Sequence, residues 1–419
     1  MAFHPPDRAT TERLKPAVVI ATTLDTKSAE TRLLIDALGS QGLDTILIDC
    51  GILGEPKLRP DIDAREVAAL AGADIDDLRR NRDRAAALRT MMRGLSACIE
   101  RLHEQKLVRG FLAMGGGTNT ALASAAFEQL PFGVPKLLVA TTVSGDTSRI
   151  VGPKDVVLIH SVIDILGVGS YLQDLLHRAA AVMGALIREA ESVPTRASAP
   201  CVGITAFGST TPAANAAFDL LSAAGNEVLT FHARGSGGRA AEAFMRNGRI
   251  QLMLDLTTTE IADEVVGGTM SAGPTRMDAA VEMGLPQVLL PGAVDMVNFG
   301  PRETIPGKFA DRLFLQHTPM TTLMRTNAEE LARIARYMAG KLERATAPAI
   351  FVIPMRGFSA YDAPDAPFFD PEADAAFVQA LESSLRSDIP ILKIDAHIND
   401  PAVAELAVRN LLQSASVSI

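Results

Sequence analysis

Apolar and polar positions follow one another in a recurring order along this chain. A short apolar run leads into a Ser-, Thr- or Gly-rich turn, then an Ala- and Leu-rich stretch of helical period, then another apolar run. Apolar runs of this length, bounded by turn residues and separated by helical patterns, predict parallel strands covered by helices. Strands are expected at 17–22, 44–49, 110–114, 136–141 and 155–159, and again near 201–206, 227–232, 250–256, 287–291, 349–353 and 391–395. Helices are expected at 28–39, within the charged stretch 61–106, and at 119–129, 170–190, 327–344 and 371–386. Within 61–106, Met91, Met92, Leu95, Cys98, Ile99 and Leu102 recur at three- and four-residue steps, which predicts one apolar face and a solvated charged one.

The pattern is written twice. Segment 18–51 aligns without a gap on 201–234, and GVPKLLVAT at 133–141 matches GLPQVLLPG at 284–292. One β-α-β unit therefore opens each half, and the predicted class is α/β: two Rossmann-like domains with parallel sheets, related by an internal repeat. Periodicity lapses at ESVPTRASAP, where Pro194 and Pro200 bracket small polar residues. The expected organisation is a disordered tail at 1–15, a first domain at 16–190, a linker at 191–200 and a second domain at 201–419. Ligands of such sheets sit at the carboxyl ends of strands, so one is expected there or in a cleft between the domains.

Composition removes several classes of function. A net charge of −9, a pI near 5.4, the absence of Trp and only three Tyr argue against a nucleic-acid partner, which needs clustered basic charge and stacking platforms. Cys50, Cys98 and Cys201 are far apart and lack CxxC spacing, so a reduced, cytoplasmic protein is expected rather than a disulfide or zinc scaffold. The N-terminal stretch has no signal-peptide core, and the apolar stretch 156–172 contains His160, Asp164 and two glycines, so no membrane segment is expected.

Three turns of the first half carry candidate chemistry. In ATTLDTK, 21–27, an apolar strand meets a helix start, where backbone N–H groups favour an anion. Thr22, Thr23, Thr26 and Lys27 can add donors, and Asp25 could hold magnesium through one oxygen or a water; an ordinary helix cap is the competing reading. In AMGGGTNT, 113–120, Gly115, Gly116 and Gly117 let backbone approach a phosphate, with Thr118, Asn119 and Thr120 at the same helix end. Three consecutive glycines exceed what one tight turn requires. ATTVSGDTS, 140–148, supplies a third polar loop, and neighbouring strands would bring all three together. Asp49 ends the second strand, where a Rossmann-type acid would meet ribose hydroxyls, although such a residue alone is more often solvated.

The second half offers different side chains. HARGSGGRA at 232–240 combines His232, Arg234 and Arg239, and LDLTTTE at 254–260 contributes Asp255, Thr257 and Glu260. Region 292–326, poor in long apolar runs, is expected to be a long functional loop carrying Asp295, Asn298, Arg302, Glu303, His317 and Arg325. PMRGFSAYD at 354–362 adds Arg356, Ser359 and Asp362. There is no GxSxG elbow, no HExxH and no metal-spaced pair among the seven His residues.

At ATTLDTK, GGGTNT, TTVSGDT, GITAFGSTTP, DLTTTEIADEVVGG, GAVDMVNFGP, HTPMTTLMRT and PMRGFSAYD, from about residue 16 to 412, the chain resembles a family. It is that of the ATP-binding domain of the tomato mosaic virus resistance protein of plants and its bacterial relatives, catalogued as an uncharacterised protein family. The resemblance implies two Rossmann-like subdomains, ATP and magnesium bound through the first, and assembly as a homodimer or higher homo-oligomer. In the plant protein this domain binds the viral replication protein and precedes a barrel domain. The resemblance does not extend to that barrel, so antiviral activity is not expected. Carried onto matching positions, nucleotide contact falls to Thr22, Thr23, Asp25, Thr26, Lys27, Gly115, Gly116, Gly117, Thr118, Thr141, Ser144 and Gly145.

These features lead to an expected ATP-binding protein, acting as an ATP-dependent enzyme on a small anionic metabolite. In that reading Arg302, His317 or Arg325 orients the acceptor by charge. Two alternatives stay open: a nucleotide-sensing module without turnover, and a nucleotide-independent hydrolase or lyase using the second-domain His and Arg residues. A homodimer through helix 170–190 is expected from its face of Leu172, Leu175, Leu176, Ala179, Met183 and Leu186, with burial under its own sheet as the competing explanation.

Overall fold

The computed structural model describes residues 14–80, 83–145, 147–192 and 199–417. Nearly all of the expected N-terminal tail and most of the expected linker lie outside them. The chain divides into two compact units, Met1–Arg196 and Ala197–Ile419.

In the N-terminal unit, β1 (Ala17–Thr22), β2 (Thr45–Asp49), β3 (Val108–Gly115), β4 (Lys136–Ala140) and β5 (Val157–His160) form a parallel sheet in the order β2-β1-β3-β4-β5. Neighbouring strand residues point to opposite faces, and both faces are buried. Val19 and Phe111 pack under helices Arg84–Glu104 and Gly117–Gln129, through Leu95, Ile99, Leu122 and Phe127. Val18, Ile20 and Leu112 pack on the other side, against Leu34 and Leu38 of helix Leu24–Ser40 and Leu176 and Met183 of helix Ser170–Ser192. The face expected to form a dimer interface is thus largely the cover of its own sheet. Leu172, Leu175, Leu176, Ala179 and Met183 are buried in that core, and only Leu186 is half-exposed.

Helix Leu24–Ser40 starts four residues earlier than its periodicity predicts. Lys27, at φ −123° and ψ 18°, separates a first turn from the regular helix beyond it. That turn closes where Thr26 and Lys27 donate backbone N–H groups to the Thr23 carbonyl.

The C-terminal unit repeats the plan. It contains β6 (Cys201–Ala206), β7 (Glu227–His232), β8 (Leu252–Thr257), β9 (Gln287–Gly292), β10 (Met296–Phe299), β11 (Phe314–Thr318), β12 (Thr321–Arg325), β13 (Ala349–Pro354) and β14 (Ile391–Ile394). Its main sheet runs β14-β13-β9-β8-β6-β7, all parallel. Counted along the chain, this is the strand order of the N-terminal unit with one strand added. The first strand of each unit lies between the second and third, which is the doubly wound arrangement whose switch point opens between first and third strands.

Region 292–326 is not the long loop expected. β10, β12 and β11 form a separate antiparallel sheet in that order. The run MVNF of β10 is buried at every position, so it lacks the alternation that marks a half-buried strand, and four residues are too few to show a period.

Candidate functional site

The switch point of the N-terminal unit opens where β1 and β3 end, and a cavity of about 460 Å³ lies there. One end is polar: Thr23, Asp25, Thr26 and Lys27 follow β1, and Gly116, Gly117, Thr118 and Asn119 follow β3. The rest of the lining is mostly apolar, with Cys50, Ile52 and Leu53 after β2 and Leu88 and Met91 of helix Arg84–Glu104, and Arg84 and Asp164 are its charged members. The two loops are tied together by Asn119, whose Oδ1 accepts from Thr23 N at 3.2 Å and whose Nδ2 donates to Thr23 Oγ1 at 3.4 Å.

The three glycines have two different roles. Gly115 has φ +147°, and a Cβ there would lie 2.4 Å from Asn119 Nδ2, so the fold itself requires glycine. At Gly116 a Cβ would meet nothing closer than Thr141 Oγ1 at 3.9 Å, and at Gly117 nothing within 4 Å. The protein's own packing therefore explains only the first. Gly116 is also the N-cap of helix Gly117–Gln129, with no side-chain cap, so the N–H groups of that helix end are left for another acceptor.

Asp25 Oδ2 accepts from Leu53 N at 2.7 Å, while its Oδ1 is buried without a hydrogen-bond partner among the described residues. Lys27 Nζ donates to the Ile165 carbonyl at 2.6 Å, which holds the ammonium at the cavity wall. Among the described residues no group of three His, Cys, Asp or Glu is placed to hold a metal ion. Two carboxylates, Asp25 and Asp164, line the cavity, and a magnesium ion held by either would need phosphate oxygens and water for its remaining ligands, which is how magnesium commonly sits in nucleotide sites.

Asp49 is not a solvated strand end, and it does not line this cavity. It is 1 % exposed, and its Oδ1 accepts from Leu24 N at 3.0 Å and Gly51 N at 2.8 Å, pinning the first helix to the end of β2. Burial pushes its pKa up against the lowering effect of these two bonds. Thr22 is fully buried behind the cavity, with its Oγ1 unpartnered among the described residues. Thr141, Ser144 and Gly145 follow β4 in a short 3-10 turn, joined to the glycine loop by Thr120 Oγ1 and Thr142 Oγ1 at 2.8 Å. Thr22, Thr141, Ser144 and Gly145 do not line the cavity.

The second-half candidates separate in the same way. Arg325 is 5 % exposed, and its five N–H donors go to the carbonyls of Phe368, Asp295 and Asp370, to Thr326 Oγ1 and to Asp374 Oδ1. It organises a buried acidic cluster rather than facing a ligand. Arg302 is exposed, with its guanidinium 3.4 Å from the centroid of the Phe314 ring. His317 is exposed too, and its Nδ1 lies 3.0 Å from the Tyr361 hydroxyl.

Asp255 and Glu260 hold a buried cation that the sequence pattern does not reveal. Arg276 is 1 % exposed, bonds both oxygens of Asp255 at 2.6 and 2.7 Å and reaches Glu260 Oε2 at 2.8 Å. Its partners lie 16 and 21 residues away in sequence, beyond any local spacing signal.

Comparison with known proteins places the whole chain. A UPF0261 protein of Clostridium tetani is 42 % identical over 396 residues, covering 94 % of this chain and 98 % of its own. The ToMV resistance protein Tm-1(GCR237) of Solanum lycopersicum is 39 % identical over 336 residues, or 79 % of this chain but 45 % of that longer protein. Among solved structures, UDP-N-acetylglucosamine 2-epimerase from Rickettsia bellii aligns over 96 % of each chain at 12 % identity, with a TM-score of 0.21. Residues 16–192 match the N-terminal domain and residues 199–415 the C-terminal domain of the uncharacterised protein family UPF0261, and the chain belongs to that family.

Proposed function

We propose that the N-terminal unit binds ATP, with magnesium carried on its phosphates. The observation that carries this reading is the open space at Gly116 and Gly117 beside an uncapped helix end, which internal packing does not explain. Thr23, Thr26, Lys27 and Thr118 would donate to the phosphates, and Asp25 would meet the ion. The wall of Ile52, Leu88 and Met91 suits an apolar, flat base. The resemblance at ATTLDTK and GGGTNT is what selects ATP among nucleotides. Magnesium would neutralise phosphate charge there.

The finer reading is an ATP-dependent enzyme that transfers a phosphoryl group to, or activates, a small anion. In it the acceptor falls to the C-terminal unit, where His317 and Arg302 are free to meet solvent and Arg325 is not. Sensing of ATP without turnover is distinguished by an assay of ATP consumption. The homodimer rests on the resemblance and is tested by light scattering, where a mass of 44.4 kDa at micromolar concentration would exclude it.

Calorimetric titration with ATP and magnesium tests the central claim. Binding is expected in the wild type and lost in Gly116→Val, with native circular dichroism in both. Absence of binding to the wild type would remove the proposal, and so would undiminished binding to the variant.

A further inference from the structure

We infer that the C-terminal unit has its own binding site for a small organic carboxylate, in a cavity of about 210 Å³ where β6 and β7 end. The inference stands whether or not the N-terminal unit binds nucleotide. Its first support is Ser209, which lines the cavity, is 5 % exposed, and has an Oγ buried without a hydrogen-bond partner among the described residues. A buried hydroxyl left unsatisfied is costly, and a ligand acceptor would remove that cost.

The lining of this cavity carries one positive charge, that of Arg234, and no negative one. Arg234, His232 and His317 line the cavity, and no Asp or Glu does, in a protein whose net charge is −9. Among the described residues no carboxylate pairs with Arg234, unlike Arg276 and Arg325 in the same unit. Two of the rings are held in place: Phe207 stacks on His232 with centroids 5.5 Å apart and planes 18° apart, and Tyr361 holds His317. Helix Thr211–Ala223 begins beside Ser209; Asn399 Oδ1 accepts from Ala213 N in its first turn at 3.4 Å, and the remainder of its positive end adds to the same field.

Size and lining choose the ligand class. The volume lies below the roughly 300–1,000 Å³ of sites for drug-sized ligands, which suits a molecule of a few carbons. A guanidinium matches a planar carboxylate through two parallel hydrogen bonds. Met270 and Leu323 complete the wall with apolar surface, which a hydrocarbon portion would cover and inorganic phosphate would not.

The internal repeat gives this site an origin. In the register that aligns 18–51 on 201–234, Ser209 falls at the position of Thr26, His232 at that of Asp49 and Arg234 at that of Gly51. A basic side chain thus stands where the first unit has an acid, and a second where it has none.

Calorimetric titration of the full chain with pyruvate, L-lactate, L-malate and succinate, with inorganic phosphate for comparison, tests the inference. At least one carboxylate is expected to bind in the millimolar range or tighter. Its affinity should fall about tenfold or more in Arg234→Gln and Ser209→Ala and stay unchanged in Gly116→Val. Arg234 is exposed, so its variant decides the matter if the serine variant does not fold. No binding by any carboxylate, undiminished binding in Arg234→Gln, or phosphate binding as tight as the best carboxylate would each overturn it.

Discussion

The two units share a strand order but treat the loop after their third strand in opposite ways. After β3, Gly117 and Thr118 are exposed and the helix end is open; after β8, Thr258, Thr259 and Glu260 are fully buried, and Glu260 is bound to Arg276. The same position is a candidate ligand cradle in one unit and a sealed ionic core in the other. In the second unit the open cavity lies instead at the ends of β6 and β7. A doubly wound backbone fixes where a site can be, and the side chains of one short loop decide whether it is one.

The sharpest way to break this comparison is to unseal the second unit. Arg276→Ala would leave Asp255 and Glu260 buried and uncompensated, with an expected cost of about 3–5 kcal/mol. Urea unfolding with a probe in each unit should show the loss in the C-terminal unit alone. A variant as stable as wild type would mean that the ionic core contributes nothing. Filling the open loop acts in the other direction. ATP with magnesium at a hundredfold its dissociation constant should stabilise the N-terminal unit by ~2.7 kcal/mol, seen as a raised melting temperature. A flat melting curve at millimolar ATP would refute that.

Smaller effects separate the glycines. Gly115→Ala should cost about 1–3 kcal/mol, because it forces a side chain into a left-handed conformation against Asn119. Gly116→Ala should stay within about 0.5 kcal/mol of wild type. Equal stability losses in thermal melts would erase the distinction between a structural glycine and one left for a ligand.

The smallest effect concerns pH in the C-terminal unit. Burial, and then the neighbouring Asp362 charge, raise the pKa of both Asp295 and Asp374 against the lowering pull of Arg325. The folded state therefore holds a proton more tightly than the unfolded chain. That contribution to stability is present in acid and is lost as pH rises from the ordinary carboxylate range toward neutrality. Asp374→Asn should flatten this dependence in urea midpoints measured across that window, and an unchanged slope would count against it.

Strands such as β1 and β4 were legible because four or five consecutive apolar residues make up each beside a turn, and the repeat made the two units visible at once. The glycine loop was legible as well, though not its division: only φ and the position of Asn119 distinguish Gly115 from Gly116. Other features depend on contacts far apart in sequence. The Leu face of helix Ser170–Ser192 reads alike whether a partner or its own sheet covers it, and Arg325 reads as an exposed loop cation until Asp374 and the Phe368 carbonyl surround it. Ser209 has one sequence signal, its repeat position opposite Thr26, and no local one.

The segment between β5 and helix Ser170–Ser192 is tied to helix Leu24–Ser40 by two hydrogen bonds. Lys27 Nζ bonds the Ile165 carbonyl, and the Gly167 N–H donates to Glu30 Oε1 at 2.6 Å, from a carboxylate that is only 3 % exposed. The neighbouring Leu166 and Val168 side chains stand in solvent at 73 % and 51 % exposure. In hydrogen-exchange terms, the segment should therefore not behave as one freely exchanging loop. The Gly167 amide should form a protected island between faster neighbours, and its lifetime should report how firmly the start of the first helix is held.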